Sequence, residues 1–209
     1  MTAARQDGVV VMARGLSERM GQPKGALLCP GNTDTSFLAS IVQLYVSSGL
    51  AGVVITTEDL VDLYRSLLPE QGAFKVLGFG GGGDTGRTIV HGASALEPGV
   101  THLWAHPVDL PLVSSGSIVK LWKTSQESPE AVVRPVYSGT VGHPVIIPVG
   151  VIGTVASAGR WAEAPMRELM VEKLKDRGIG GQLLVAVTDA GVVADFDRPE
   201  DLVRGSIHD

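Results

Sequence analysis

The stretch that most limits what this chain can become runs from Val9 to Lys24 and reads Val-Val-Val-Met-Ala-Arg-Gly-Leu-Ser-Glu-Arg-Met-Gly-Gln-Pro-Lys. A short β-branched run, Val9 to Val11, has the composition of a buried strand and ends abruptly in a loop. Gly15, Ser17 and Gly21 give that loop tight backbone geometry, and Arg14, Arg19 and Lys24 give it positive charge. This is a strand that hands its carboxyl end to an anion. Glycines let the backbone approach a phosphate, unpaired N–H groups donate to its oxygens, and a cation neutralises what remains. The spacing is neither Gly-x-x-x-x-Gly-Lys-Ser/Thr nor Gly-x-Gly-x-x-Gly, so the two most familiar phosphate loops do not describe it.

The rest of the chain alternates in the way such a start requires. Phe37, Ile41, Leu44 and Tyr45 recur at helical spacing over Ser36 to Ser48, with Asp34, Thr35 or Ser36 available as a cap and Gly49 as a stop. A strand over Gly52 to Thr56, a helix over Glu58 to Leu68 broken at Pro69, and a strand over Lys75 to Phe79 follow. Gly78 to Gly83 can be forced into Gly-x-Gly-x-x-Gly, but any glycine tract would satisfy that pattern, and a flexible loop is the better reading. Gly86-Arg87-Thr88 opens a helix to about Leu96, and Val100 to Val108 is a buried-looking strand. Ser114 or Ser115 starts a helix with Ile118, Leu121 and Trp122 as its inner face. Strands are expected over Ala131 to Tyr137, Pro144 to Val149, Leu183 to Val187 and Val192 to Phe196, with an amphipathic helix over Pro165 to Asp176 and a short helix opened by Pro199. Strand–helix alternation predicts an α/β fold: a Rossmann-like, three-layer α/β/α domain with a mostly parallel sheet. With no linker or repeat in 209 residues, one domain is expected over 1–209.

Composition narrows the partners. At 44% hydrophobic and 19% charged residues the chain can fill a core, and its net charge of -5 lacks the basic excess of a nucleic-acid binder. Positive charge is instead concentrated in the 14–24 loop. The first eight residues have no apolar run of the signal-peptide kind, and no stretch has the length of a membrane span, so a cytoplasmic protein without membrane partners is expected. Cys29, the sole cysteine, excludes an internal disulfide and reads as a small half-buried residue.

Outside the loop, Asp109 is the foremost chemical candidate. It follows an apolar strand, which places a carboxylate at the carboxyl edge of the sheet, where open α/β folds bind ligands. Carboxylates are the hard oxygen donors that Mg2+ takes in ones and twos beside phosphate and water. Asp195 and Asp197 flank Phe196, so strand alternation points both acids one way and the ring the other. His143 lies in a glycine turn, Ser138 to His143, and could bind a phosphate or carry a proton, since a histidine pKa lies near neutrality; we read it as a positioning residue. His91, His102, His106 and His208 show no metal-ligand spacing and read as structural or exposed.

Taken together these residues resemble the nucleotidyltransferases that activate molybdopterin. Their signature Ala-Ala-Gly-x-Ser-x-Arg-Met-Gly-x-x-Lys is met by Ala13, Gly15, Ser17, Arg19, Met20, Gly21 and Lys24. Arg14 departs from it at a position associated in the family with nucleobase choice, Ala in the cytidylyl branch and Gly in the guanylyl branch. Asp109-Leu110-Pro111-Leu112 is similar to the metal-binding Asp-x-Pro-Leu segment, and Gly142-His143-Pro144-Val145 to an acceptor-side Gly-His-Pro-Val. Asp195 to Leu202 matches the closing Asp-x-Asp-Thr-Pro-Glu-Asp-Leu except that Arg198 replaces Thr. Arg87 with Gly92 is similar to a nucleotide-contacting Arg-x-x-x-x-Gly.

The resemblance implies a nucleotidyltransferase with Mg2+ on Asp109 and Asp197, and with Lys24, Arg19 and Asp109 catalytic. Ala13, Arg14, Gly15, Ser17, Gly21, Lys24 and Arg87 would bind nucleotide, and Gly142, His143 and Pro144 the acceptor. Gln22-Pro23-Lys24 leans to the cytidylyl branch, which implies CTP as donor, molybdopterin as acceptor and a molybdoenzyme as eventual recipient. The alternatives are GTP, a sugar phosphate or methylerythritol phosphate as acceptor, or a non-catalytic protein that binds and delivers a nucleotide or cofactor. The Pro30 to Thr35 insertion and the glycine tract depart from the family pattern and are consistent with a different acceptor.

Overall fold

A computed structural model describes residues 5–14, 20–32, 34–69, 72–80, 85–157 and 182–204. Gly15, Ser17, Arg19, Gly81 to Asp84, the segment Pro165 to Asp176 and His208 lie outside the described residues. The first strand is longer than its β-branched run: β1 covers Asp7–Ala13, with Val9, Val10 and Val11 all fully buried. A strand covered on both faces needs apolar side chains at every position, which is why this one shows no alternation.

Around β1 the sheet has the order β3-β2-β1-β4-β7-β5-β6, with β8 pairing β5. Its remaining strands are β2 (Gly52–Thr56), β3 (Phe74–Gly78), β4 (His102–Pro107), β5 (Val132–Tyr137), β6 (Thr140–Val141), β7 (Val145–Pro148) and β8 (Gln182–Ala186). β3, β2, β1 and β4 run parallel, as do β5 and β8. β7 lies antiparallel between β4 and β5, and β6 folds back on β5. The mostly parallel sheet is therefore observed, with β7 reversed inside it and short β6 reversed at its edge.

Helices cover both faces. Val9 and Val11 pack with Leu38, Ile41 and Tyr45 of α1 (Phe37–Ser47), Tyr64 of α2 (Val61–Ser66) and Ile118 and Leu121 of α4 (Ser115–Glu127). On the other face Val10, Val53 and Ile55 pack with Ile89 of α3 (Thr85–Ala95) and Val151 and Ile152 of α5 (Val149–Ser157). Ser36 and Ser114 cap α1 and α4, accepting the N–H of Ala39 and Ser117. A last helix, α6 (Pro199–Arg204), begins at its proline as expected. No helix among the described residues is long and apolar enough to cross a membrane.

Three expectations need correction. The helix placed over 58–68 opens as a 3-10 turn, Glu58–Leu60, and its α-helical part ends at Ser66, since Thr57 gives no side-chain cap to start it. Trp122 is not an inner residue of α4: it is 38% exposed and donates its indole N–H to Asp7 Oδ2 at 3.2 Å. An indole donor that finds its partner at the rim keeps the ring there. Val192 to Phe196 is not a strand. Ala190–Val192 forms a 3-10 turn because the Asp189 carboxylate accepts from Gly191 N (2.9 Å), Ser114 N (2.8 Å) and Ser117 Oγ (2.8 Å), which turns the chain locally.

Candidate active site

After β1 the chain goes to β2 and β3, then crosses back to β4 on the other side of β1. That makes the β1/β4 boundary the topological switch point, where the carboxyl ends of open α/β sheets form a crevice. Lys24 and Asp109 lie just beyond these two strands.

Each side chain there is held by its neighbours. Gly21 takes a left-handed φ of 69°, and Met20 before it is buried beside Leu27, so the chain turns back into the core ahead of Lys24. Lys24 opens a 3-10 turn, Lys24–Ala26, closed by Leu27 N donating to Lys24 O at 3.0 Å. Asp109 follows β4 by two residues; Val108 and Leu110 on either side are buried, so the carboxylate between them faces outward. The closing segment comes back to the same place because Phe196 N donates to Asp109 O at 3.2 Å. Phe196 itself is buried in a small cluster with Met20, Leu27, Cys29 and Phe37, its ring 5.2 Å from that of Phe37. Its burial leaves Asp195 and Asp197 on the outside, so the expected alternation holds without a strand.

These supports converge on Lys24. Its Nζ donates to Asp109 Oδ2 at 3.0 Å and to Asp197 Oδ1 in a shorter contact. The lysine side chain is 13% exposed, Asp109 27% and Asp197 50%, so the cation is the innermost of the three. Burial works against the ammonium, but the bonds and charges of Asp197 and Asp109 outweigh it and hold the Lys24 pKa above the ordinary lysine value. Asp195 adds a third acid: local burial first, then repulsion by Asp197 and Asp109, raises its carboxyl above the usual range. Among the described residues, three acids thus gather about one lysine. Two outward carboxylates with a third nearby are a donor set that fits a hard divalent cation, which takes one or two carboxylates and completes its shell with water and phosphate. Among the described residues there is no ready-made cage of three or more His, Cys, Asp or Glu ligands, so such an ion would need ligand oxygens.

The other expected residues form two neighbouring groups. Ala13 closes β1 and its carbonyl accepts the buried Thr56 hydroxyl at 3.0 Å, which fixes where the loop departs. Arg14 lies 4.6 Å over the Phe79 ring and donates to Thr88 Oγ1 at 3.5 Å. Phe79 in turn stacks on His91 and, with exposed Arg87, lines a surface groove of about 220 Å3. Arg14 and Arg87 thus both approach an aromatic ring that sequence reasoning did not single out; as the last residue of an expected apolar strand it gave no signal.

Gly142, His143 and Pro144 form the second group, beside β7. Gly142 N donates to Pro135 O (2.8 Å) and His143 N to Val192 O (2.8 Å), so the turn is clamped between β5 and the 3-10 turn after β8. A Cβ on Gly142 would fall 2.1 Å from Val192 O, which explains the glycine. The His143–Pro144 bond is cis. Burial, then the Arg134 charge, pushes the His143 pKa down to about 4 despite a bond to the Ala105 carbonyl, so at neutral pH this imidazole is uncharged and can only give or take a hydrogen bond. His106 is structural, bonded to Tyr45 Oη and Leu110 O at 2.9 Å each. His102 bonds Pro129 O at 2.8 Å. Cys29, expected to be half-buried, is instead buried in the cluster with Phe37 and Phe196.

Known proteins share this fold. A sequence comparison with curated proteins returns no match. Among solved structures, Rv0371c from Mycobacterium tuberculosis H37Rv is 21% identical over 100% of both chains with a TM-score of 0.74. Its complex with manganese matches at 19% identity, 98% and 100% coverage and a TM-score of 0.71. The 4-diphosphocytidyl-2C-methyl-D-erythritol synthase of Anaerococcus prevotii DSM 20548 matches at 12% identity over 97% of both chains, TM-score 0.74. Molybdopterin-guanine dinucleotide biosynthesis protein A of Archaeoglobus fulgidus matches at 14%, covering 95% of this chain and 97% of its own, TM-score 0.69. At these identities the likeness is one of fold. The model of the MobA-like NTP transferase domain matches residues 9–189, and on that match the chain belongs to this nucleotidyltransferase family.

Proposed function

We propose that this protein transfers CMP from CTP to the phosphate of molybdopterin and releases pyrophosphate, with Mg2+ held by Asp109 and Asp197. The observation that carries the reading is the meeting of Lys24 with both acids, from positions far apart in the chain. The manganese complex of Rv0371c supports a hard divalent ion in this fold, since carboxylate and water ligands suit Mn2+ and Mg2+ alike. The acceptor phosphate oxygen attacks the α-phosphorus, the bond to the β-phosphate oxygen breaks, and pyrophosphate leaves with the electron pair. Bound Mg2+ would supply Lewis-acid stabilisation of the phosphate charge. Lys24 and Arg19 neutralise the triphosphate, and the loop of Gly15, Ser17 and Gly21 cradles it. Ala13, Arg14 and Arg87 border the nucleoside, and Gly142, His143 and Pro144 hold the acceptor. A phosphate monoester is already anionic at neutral pH, so no general base is needed and an uncharged His143 suffices to orient it.

The test is pyrophosphate release with Mg2+ from CTP and GTP in turn, each with molybdopterin, methylerythritol phosphate and a sugar phosphate. CTP with molybdopterin is expected to be fastest. Preference for another pair moves the substrate assignment within the same chemistry. Tight nucleotide binding without pyrophosphate release from any pair replaces the enzyme reading with a non-catalytic carrier.

A further inference from the structure

The geometry points to Tyr64 as a positioning residue for Lys24, acting through the backbone of Gly25. This rests on the reading of Lys24 as the cation of the triphosphate site. Tyr64 projects from α2, is fully buried, and belongs to the core that packs β1 against α1. Its hydroxyl accepts the Gly25 N–H at 3.3 Å. Gly25 is itself buried, and a Cβ there would lie 2.8 Å from Tyr64 Cε1, 2.9 Å from Cζ and 3.1 Å from Oη. The ring therefore sits directly on the main chain of the residue after Lys24, and the lack of a side chain at 25 is what allows it.

The 3-10 turn that carries Lys24 has no side-chain cap, because Pro23 precedes it and offers none. Among the described residues it is anchored at Leu27, whose side chain is buried in the Phe196 cluster and whose carbonyl accepts the Phe37 N–H at 2.8 Å, and at Gly25 by the Tyr64 contact. Remove the second and the turn can pivot about the first. Lys24 must meet two carboxylates within hydrogen-bond range, so a pivot of about an ångström is enough to break one contact. Burial lifts the Tyr64 pKa and opposes the phenolate, so the oxygen stays a neutral acceptor across the working pH range.

Three variants separate positioning from packing. Tyr64→Phe keeps the ring and removes the acceptor, Gly25→Ala drives a methyl group into the ring, and Gly25→Ala with Tyr64→Leu removes the atoms that the methyl would strike. The first readout needs no substrate: the rate at which acetic anhydride labels Lys24 compared with exposed Lys75, below the denaturation midpoint of every variant. Held between its two acids Lys24 has a side chain only 13% exposed, and a pivot that breaks one of those contacts opens it to the reagent. Tyr64→Phe and Gly25→Ala are expected to raise Lys24 labelling roughly three- to ten-fold relative to Lys75, as the loss of one hydrogen bond would, and the double variant, relieved of the clash but still without the acceptor, to label no faster than Tyr64→Phe. The second readout is pyrophosphate release, where kcat falls and KM for nucleotide changes little. Raised labelling in an enzyme whose wild type releases no pyrophosphate keeps the positioning role and sinks the catalytic reading. Unchanged Lys24 labelling in both single variants overturns the proposal, whatever happens to stability.

Discussion

Replacing Phe196 by Ala tests what holds the closing acids against Lys24. Phe196 is 2% exposed, and its ring lies 5.2 Å from Phe37 at a tilt of 59°. Truncating a buried Phe costs about 3–5 kcal/mol, of which the aromatic pair accounts for about 0.5–1.5 kcal/mol. Among the described residues the cluster around it is small, Met20, Leu27, Cys29 and Phe37 with Leu202 at its edge, and can relax toward the gap, so the lower end applies. We expect a loss of about 3 kcal/mol, from a total of about 5–15 kcal/mol for a domain, which leaves the chain folded. Phe196→Leu keeps most of the apolar volume and should lose about half as much. Urea denaturation followed by circular dichroism measures the loss, and titration calorimetry with CTP and Mg2+ on the same samples measures binding. Both should weaken together, since Asp197 is seated by the ring before it and by the bond from Phe196 N to Asp109 O. A loss under about 1 kcal/mol for Phe196→Ala would refute the packing argument. A loss of 3 kcal/mol with unchanged binding would refute the claim that this cluster seats Asp197.

Other perturbations follow from the same contacts. His106 and His143 each have a folded pKa near 4 against an ordinary 6.5, so the neutral rings stabilise the fold fully above about pH 6.5 and lose that contribution as pH falls toward 4. Each shift corresponds to about 3 kcal/mol at most, and His106→Gln should flatten the fall of the urea midpoint between pH 7 and 4; an unchanged slope counts against it. Gly142→Ala should destabilise by more than about 2 kcal/mol, because its Cβ would meet the Val192 carbonyl at 2.1 Å, whereas Gly116→Ala, whose Cβ would meet only the Ser114 hydroxyl at an ordinary 3.8 Å, should not. Equal midpoints for the two would be a failure of that account. Arg198→Thr should stabilise by about 1 kcal/mol in the same assay. Asp201 Oδ2 already accepts from Arg198 N at 2.8 Å, which is one half of a capping box, and threonine would supply the other; no gain would contradict it.

Much of this was legible in the sequence because its cause is local. The Val9 to Val11 run, the serine caps at 36 and 114 and Pro199 at a helix start each depend on neighbours a few residues away. Asp109 could be placed at the sheet edge because a buried strand precedes it. What could not be read is what depends on meetings across the chain. The 3-10 turn at 190–192 exists because Asp189 gathers donors from Ser114 and Ser117, about seventy residues earlier. Trp122 turned outward for a partner on β1. Arg14 and Arg87, from separate elements, both approach Phe79, and Tyr64 reached Gly25 from another helix. His143 looked like a titrating group from its residue type, and only burial beside Arg134 makes it neutral.

The central claim is that Lys24, Asp109 and Asp197 form one metal-dependent triphosphate site. Calorimetry of CTP binding with and without Mg2+, for the wild type and for Asp109→Asn and Asp197→Asn, tests it without any acceptor. The account predicts that Mg2+ tightens binding at least ten-fold in the wild type and that either substitution abolishes most of that gain, since each removes a charged metal ligand. Equal dependence on Mg2+ in all three proteins would contradict it.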